Sequence, residues 1–213
     1  MTEELHRARP KATRPAAVLL DMDGTLVDSH GAVESAWTTW AIENGLDVDE
    51  VIAFCHGRTG EATIRRFRPD LTEADIEADD QLQLERECAD LDGVRIAPGA
   101  HDLLAWFDEA GIPWAVVTNA PRQLADARLG ATGITPTTLV CVDDVEQGKP
   151  APDSYLRGAA LLSVDPADCI AVEDSASGLA AAQAAGTRTV AVGGLTGADH
   201  DCAGLPDLLA ILR

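Results

Sequence analysis

The run Ala-Val-Leu-Leu-Asp-Met-Asp-Gly-Thr, from Ala17 to Thr25, constrains this chain more than any other segment. Its apolar residues are too continuous for a half-exposed strand and read as a short strand buried on both faces, as in a parallel sheet. That strand delivers two carboxylates, Asp21 and Asp23, at its C-terminal end. Gly24 and Thr25 then turn the chain sharply, so backbone N–H groups can face whatever lies between the acids. Two acids beside an anion-binding turn repel each other and any anion. The arrangement becomes sensible when a divalent cation neutralises the pair and a phosphate arrives as its partner. A calcium loop fits poorly, because Gly24 falls at the fourth position and Ala32, not glutamate, at the twelfth.

Further apolar strand candidates end near Asn119, Val142, Asp174 and Gly193, joining the one that ends near Asp21. Helical patterns lie between them at Ala100–Ala110, Pro121–Leu129, Asp153–Leu162 and Ser175–Ala185. Gly111, Gly133 and Gly186 stand where these helices should stop. Alternation of this kind predicts an α/β fold, a doubly wound parallel sheet with helices on both faces. One interval breaks the rhythm. From about Gly31 to Arg95 no convincing strand occurs, only helical stretches. Ala32–Glu43 aligns Val33, Ala36, Trp37, Trp40 and Ala41 at helical spacing, which reads as packing. Thr72–Ala89 opens with Thr-x-x-Asp, a helix start, and carries Ile76, Leu82 and Leu84. The predicted organisation is a disordered tail at 1–14, a Rossmann-like core from 15–29 and 96–213, and an inserted all-helical lobe at 30–95. Ligands bind such open sheets beyond the C-terminal strand ends, at a topological switch point. Asp21/Asp23, Thr118/Asn119, Asp143/Asp144 and Glu173/Asp174 all fall at predicted strand ends.

Composition narrows the partners. A net charge of -20 argues against nucleic acid. No apolar stretch is long enough to span a bilayer, and the N-terminus carries no apolar signal segment. Cys55, Cys88, Cys141, Cys169 and Cys202 are scattered and odd in number, which suits free thiols in a reducing cytoplasm. Nothing resembles a dimerisation helix, so a monomer is the default. An acidic protein that handles an anion must build a local positive site. Of 16 basic residues only Lys11 and Lys149 are lysines, and a lone lysine in the body suggests that a compact point charge is needed there.

Four segments in order carry a resemblance. Asp21-Met-Asp-Gly-Thr-Leu-Val-Asp-Ser29, Val-Val-Thr118-Asn119, Gly-Lys149-Pro-Ala-Pro-Asp153 and Val-Glu173-Asp174-Ser-Ala-Ser-Gly178 resemble the four motifs of the haloacid dehalogenase superfamily. The likeness runs from about Ala16 to Gly194, and the helical lobe is similar to that family's cap in its first insertion position. His56-Gly-Arg58, the Trp-bearing cap helix and the Gly-Ile-Pro-Trp-Ala run from Gly111 make the chain most similar to the sugar- and polyol-phosphate phosphatases of the superfamily.

The resemblance implies roles that elementary chemistry supports. Asp21 is expected to be the nucleophile, because a carboxylate can accept a phosphoryl group as an acyl phosphate that water later cleaves. Asp23 is expected to protonate the departing alkoxide and then deprotonate the water. Mg²⁺ is the implied cofactor, held by Asp21, the Asp23 backbone carbonyl, Glu173 and Asp174; N-capping of the helix at Ser175 is an alternative task for Asp174. Lys149 offsets the charge on Asp21 and on the phosphoryl oxygens. Thr118 and Asn119 are expected to donate hydrogen bonds to the transferring group, with backbone N–H groups around Gly24. Thr25 either joins them or only fixes the turn. By resemblance, the loop carrying His56, Arg58 and Thr59 contacts the substrate; Arg65, Arg66 and Arg68 read as a solvated helix face.

Within the family, Asp23 argues against dehalogenation. No lysine lies between Lys11 and Lys149, which closes the Schiff-base route of phosphonatases and leaves no cap lysine to hold a second phosphate as in β-phosphoglucomutases. The expected function is hydrolysis of a small sugar or polyol phosphate monoester. A glycerol-phosphate or 2-deoxyglucose-phosphate phosphatase is the next reading, then a β-phosphoglucomutase-like enzyme, then a non-catalytic binding protein of the same fold.

Overall fold

The computed structural model describes residues 14–213, so the expected tail lies, but for Arg14, outside the described residues. The first strand, β1 (Ala17–Leu20), is buried throughout because its side chains alternate between two cores. Val18 and Leu20 enter one, Ala17 and Leu19 the other. A short β2 (Val27–Asp28) follows, then helices α1 (His30–Glu43), α2 (Val48–Cys55), α3 (Gly60–Phe67) and α4 (Glu73–Ala89). The strand β3 (Arg95–Ile96) closes this excursion by pairing antiparallel with β2. The expectation of a strand-free stretch thus fails at Arg95, where a two-residue strand is too short to leave a pattern.

The chain then alternates as predicted: α5 (Ala100–Ala110), β4 (Trp114–Val117), α6 (Arg122–Thr132), β5 (Leu139–Val140), α7 (Asp153–Leu161), β6 (Cys169–Glu173), α8 (Ala176–Ala184) and β7 (Arg188–Ala191). A last strand, β8 (His200–Asp201), and α9 (Leu205–Leu212) complete it. The sheet is parallel, in the order β5-β4-β1-β6-β7-β8. Strand β8 was not anticipated, because both of its residues are exposed at the sheet edge and no apolar run marks it. Phe107, Leu124 and Leu208 pack α5, α6 and α9 on one face, while Tyr155, Ala159 and Ala182 pack α7 and α8 on the other. The chain runs outward from β1 through β4 to β5 and returns to β1's other side at β6. That reversal puts the switch point at the C-terminal end of β1.

Helices α1 to α4 bury their own cluster, built on Trp37, Trp40, Val51, Ile64 and Ile76. Trp37 and Trp40 meet edge to face with centroids 5.3 Å apart, and the Trp40 indole donates to Asp79 at 2.9 Å, so both rings serve packing as expected. Thr72 and Asp75 exchange the reciprocal bonds of a capping box at the start of α4. Leu82 is the exception on that helix. It is 44% exposed, and the buried positions belong instead to Ile76, Gln83 and Glu87. Among the described residues no helix is long and apolar enough to cross a membrane.

Candidate active site

Asp21 emerges from β1 at the switch point and is buried. The Lys149 ammonium, brought in by the loop before α7, donates to Asp21 Oδ1 at 2.6 Å, to Glu173 Oε1 at 2.5 Å and to the Val117 carbonyl at 2.9 Å. One cation thus ties together the ends of β1, β4 and β6. Glu173 has no solvent access; Oε1 also accepts the Tyr155 hydroxyl at 2.6 Å, and Oε2 accepts from the Ser175 hydroxyl at 3.0 Å. Burial opposes the charged form of Lys149, but Asp21 and Glu173 outweigh it and raise its pKa, so the ammonium persists. Burial first, then Glu173, lifts the Tyr155 hydroxyl, which therefore stays a donor. Tyr155 carries no motif signal; its place on the packed face of α7 was the only hint.

Asp174 stands one residue beyond. Ser175, not Asp174, caps α8 by accepting from the Gly178 N–H at 3.1 Å, so the capping alternative is set aside. Gly24 turns with φ of 83°, and a Cβ there would lie 1.9 Å from Asp174 Oδ2. Only glycine allows the turn after Asp23 to press against this carboxylate. Thr25 is buried and its hydroxyl approaches Asp174 Oδ1 at 3.4 Å, which favours a turn-fixing part.

One oxygen from each of Asp21, Glu173 and Asp174 lies within 4.8 Å of the others. Three carboxylates against one ammonium leave excess negative charge. Burial above all, then Glu173, pushes the Asp21 carboxyl well above its ordinary range, against the pull of Lys149. The same two causes lift Asp174 to about 7. A hard divalent cation is what such a donor set accepts, since it restores the ionised form of acids that burial disfavours. The donors therefore fit Mg²⁺.

Asp23 is held by both oxygens. The Ser29 hydroxyl donates to Oδ1 at 2.7 Å, and Arg128 donates to Oδ2 at 2.8 Å. Arg128, 3% exposed, also donates to Glu87 Oε2 at 2.6 Å. This guanidinium links the core helix α6 to the lobe helix α4 directly beside Asp23. Sequence reasoning missed it. The available signal was its register: Arg128 shares a stripe with Leu124, Ala125 and Leu129, all buried.

Thr118 is buried, and its hydroxyl accepts from the Ala120 N–H at 3.0 Å, leaving its own proton to donate. The Asn119 side chain is engaged elsewhere. Its oxygen accepts from the Lys149 N–H at 2.7 Å, and its nitrogen donates to the carbonyls of Lys149 at 3.1 Å and Gly57 at 3.3 Å. Asn119 therefore anchors the lysine loop and latches the lobe, and the phosphoryl donors expected there are hydroxyl and backbone groups. The Gly57 carbonyl takes a second bond, from Ser177 at 2.5 Å.

These contacts bring the loop of His56, Arg58 and Thr59 over the sheet. Arg58 stacks on Phe54 at 4.2 Å, and His56 faces His30 with ring centroids 5.3 Å apart. Burial and then His30 lower the His56 pKa. Arg65 and Arg68 pair with Glu73 and Asp70 on the surface, in line with a solvated face. A cavity of about 360 Å³ lies between lobe and sheet, bordered by Asp21, Asp23, Gly24, His56, Arg58 and Lys149 among others. Its size suits a small ligand.

Residues 15–186 match the sequence model of the haloacid dehalogenase-like hydrolases. Hexitol phosphatase A of Escherichia coli is 43% identical over 175 residues, covering 82% of this chain and 81% of its own. The 2-deoxyglucose-6-phosphate phosphatase 1 of Saccharomyces cerevisiae is 33% identical, covering 82% and 78%. A hydrolase from Pseudomonas syringae superposes with a TM-score of 0.84 at 23% identity, over 93% of this chain and 97% of its own, which shows the shared fold. The chain belongs to the haloacid dehalogenase-like hydrolases.

Proposed function

We propose that the chain is a Mg²⁺-dependent phosphatase of a small sugar or polyol phosphate, working through an aspartyl phosphate on Asp21. The observation that carries this reading is the pairing of two differently held carboxylates. Asp21 is clamped by Lys149 among acids, while Asp23, two residues on, is aimed by Ser29 and Arg128. The named activities of the hexitol and deoxyglucose phosphate phosphatases support it.

Asp21, Asp174 and the Asp23 backbone carbonyl would hold the ion, while Glu173, expected from the sequence as a further ligand, has its oxygens engaged by Lys149, Tyr155 and Ser175 and would contribute its charge. When bound, Mg²⁺ supplies charge neutralisation that lets a carboxylate approach a phosphate dianion. An Asp21 oxygen attacks phosphorus and the ester P–O bond breaks. Asp23 delivers a proton to the departing alkoxide oxygen. Lys149, the Thr118 hydroxyl and the N–H groups near Gly24 take the charge on the phosphoryl oxygens. Asp23, now ionised, draws a proton from a water that attacks the same phosphorus, and the bond to Asp21 breaks to release phosphate. Residues 30–95 act as a cap that shields the first step from bulk water. With no lysine in this segment to hold a second phosphate, hydrolysis rather than phosphate migration follows.

Release of phosphate from p-nitrophenyl phosphate, with and without chelator, tests the reading. Activity that needs Mg²⁺ and disappears in Asp21→Asn, with circular dichroism unchanged, is expected. Near-normal turnover in that variant would remove the covalent route, and no turnover in the parent protein would favour the binding-protein alternative.

A further inference from the structure

Helix α4 presents a polar face to the cavity. Gln83 borders it and is 1% exposed; its amide leans on the Glu87 carboxylate, but among the described residues neither its oxygen nor its nitrogen makes a hydrogen bond of good geometry. A buried amide in that state is destabilising unless a ligand satisfies it. One turn further along, Glu87 borders the same cavity and accepts from Arg128, whose own Nε is unpartnered. Arg128 in turn holds Asp23. Polar groups therefore run outward from Asp23 through Arg128 and Glu87 to Gln83. Because Asp23 serves the leaving oxygen, the groups beyond it meet the rest of the leaving group.

The charge of this wall is also informative. Glu61, Asp80 and Glu87 border the cavity, and Arg128 is already paired with two acids. A second phosphate or a carboxylate there would face acids. A hydroxyl both donates and accepts, as the Gln83 amide does.

We propose that Gln83, backed by Glu87 and Arg128, is a specificity-determining residue that binds a hydroxyl of the leaving group, and that this wall selects uncharged polyhydroxylated leaving groups. The assignment rests on the phosphatase reading above and extends it to the substrate's far end.

The test compares the parent protein with Gln83→Leu on sorbitol 6-phosphate, phenyl phosphate and fructose 1,6-bisphosphate, each with Mg²⁺. In the parent, kcat/KM for sorbitol 6-phosphate exceeds that for the bisphosphate. In Gln83→Leu, the ratio of sorbitol 6-phosphate to phenyl phosphate falls about 10-fold or more. Gln83→Met, closer in shape, repeats the comparison should the leucine fail to pack. An unaltered ratio, a parallel fall on both substrates, or a parent preference for the bisphosphate through Arg58 would overturn the assignment. A parent protein that hydrolyses none of the three instead fails at the phosphatase reading itself.

Discussion

Replacing Arg128 with methionine tests whether the buried link between the two helical elements is read correctly. Arg128 donates to Glu87 at 2.6 Å and to Asp23 at 2.8 Å, and its side chain is 3% exposed. At an effective dielectric near 20 each contact corresponds to roughly 6 kcal/mol of Coulomb attraction. Desolvation of the guanidinium offsets most of that sum, so the measurable quantity is the cost of leaving its partners behind. Burial already raises the Glu87 carboxyl, and Arg128 is the charge that opposes this. Truncation therefore strands a buried acid, at a cost of about 3–5 kcal/mol. For a chain of this size that corresponds to a Tm lower by roughly 6–20 °C. Arg128→Met combined with Glu87→Met removes the stranded acid as well. Only Asp23 is then left short of a partner, and it keeps Ser29 at 2.7 Å. The double variant should recover all but about 1–2 kcal/mol, a coupling detectable by urea unfolding of the full cycle. A single-variant loss under about 1 kcal/mol, or a double variant no more stable than the single one, would refute the argument.

The acidic cluster makes stability depend on pH in a metal-sensitive way. Folded Asp21 and Asp174 have raised pKa values, Asp174 to about 7, so between about pH 4 and 7 the folded chain binds more protons than the unfolded one. Metal-free stability should fall as pH rises through that window, and Mg²⁺ should raise Tm more near pH 8 than near pH 5; scanning calorimetry with an equal or opposite Mg²⁺ effect would contradict this. Tyr155→Phe removes a 2.6 Å hydrogen bond to Glu173 with little change in volume. It should cost about 1–3 kcal/mol in urea unfolding, because the bond serves a buried charge; a neutral substitution would show that Glu173 does not depend on it.

The doubly wound core was legible because its strands are buried on both faces and read as continuous apolar runs. Observed strands end within two residues of the expected positions, and the acids cluster at the switch point. What stayed hidden was of two kinds. Strands β2, β3 and β8 are two residues each and carry exposed residues, so no apolar run marks them as one marks the equally short β5. Gln83, Glu87 and Arg128 are polar residues on buried helix faces, and composition assigns such residues to solvent. On α4 Ile76 is buried and Leu84 packs against the core as their apolar character predicts, but Leu82 faces out while Gln83 beside it faces in, so hydrophobicity alone misplaces that turn. The inversion concentrates where the lobe meets the site, and local rules of sequence are most often broken at such places.

The covalent step can be caught directly. With p-nitrophenyl phosphate the leaving group needs no proton, so Asp23→Asn should still load Asp21 but hydrolyse the acyl phosphate slowly. Acid quench during turnover, followed by peptide mass spectrometry, should find phosphate on Asp21 in that variant and none in Asp21→Asn. An active enzyme whose quenched Asp21 never carries phosphate, or whose phosphate sits on another residue, would contradict the account.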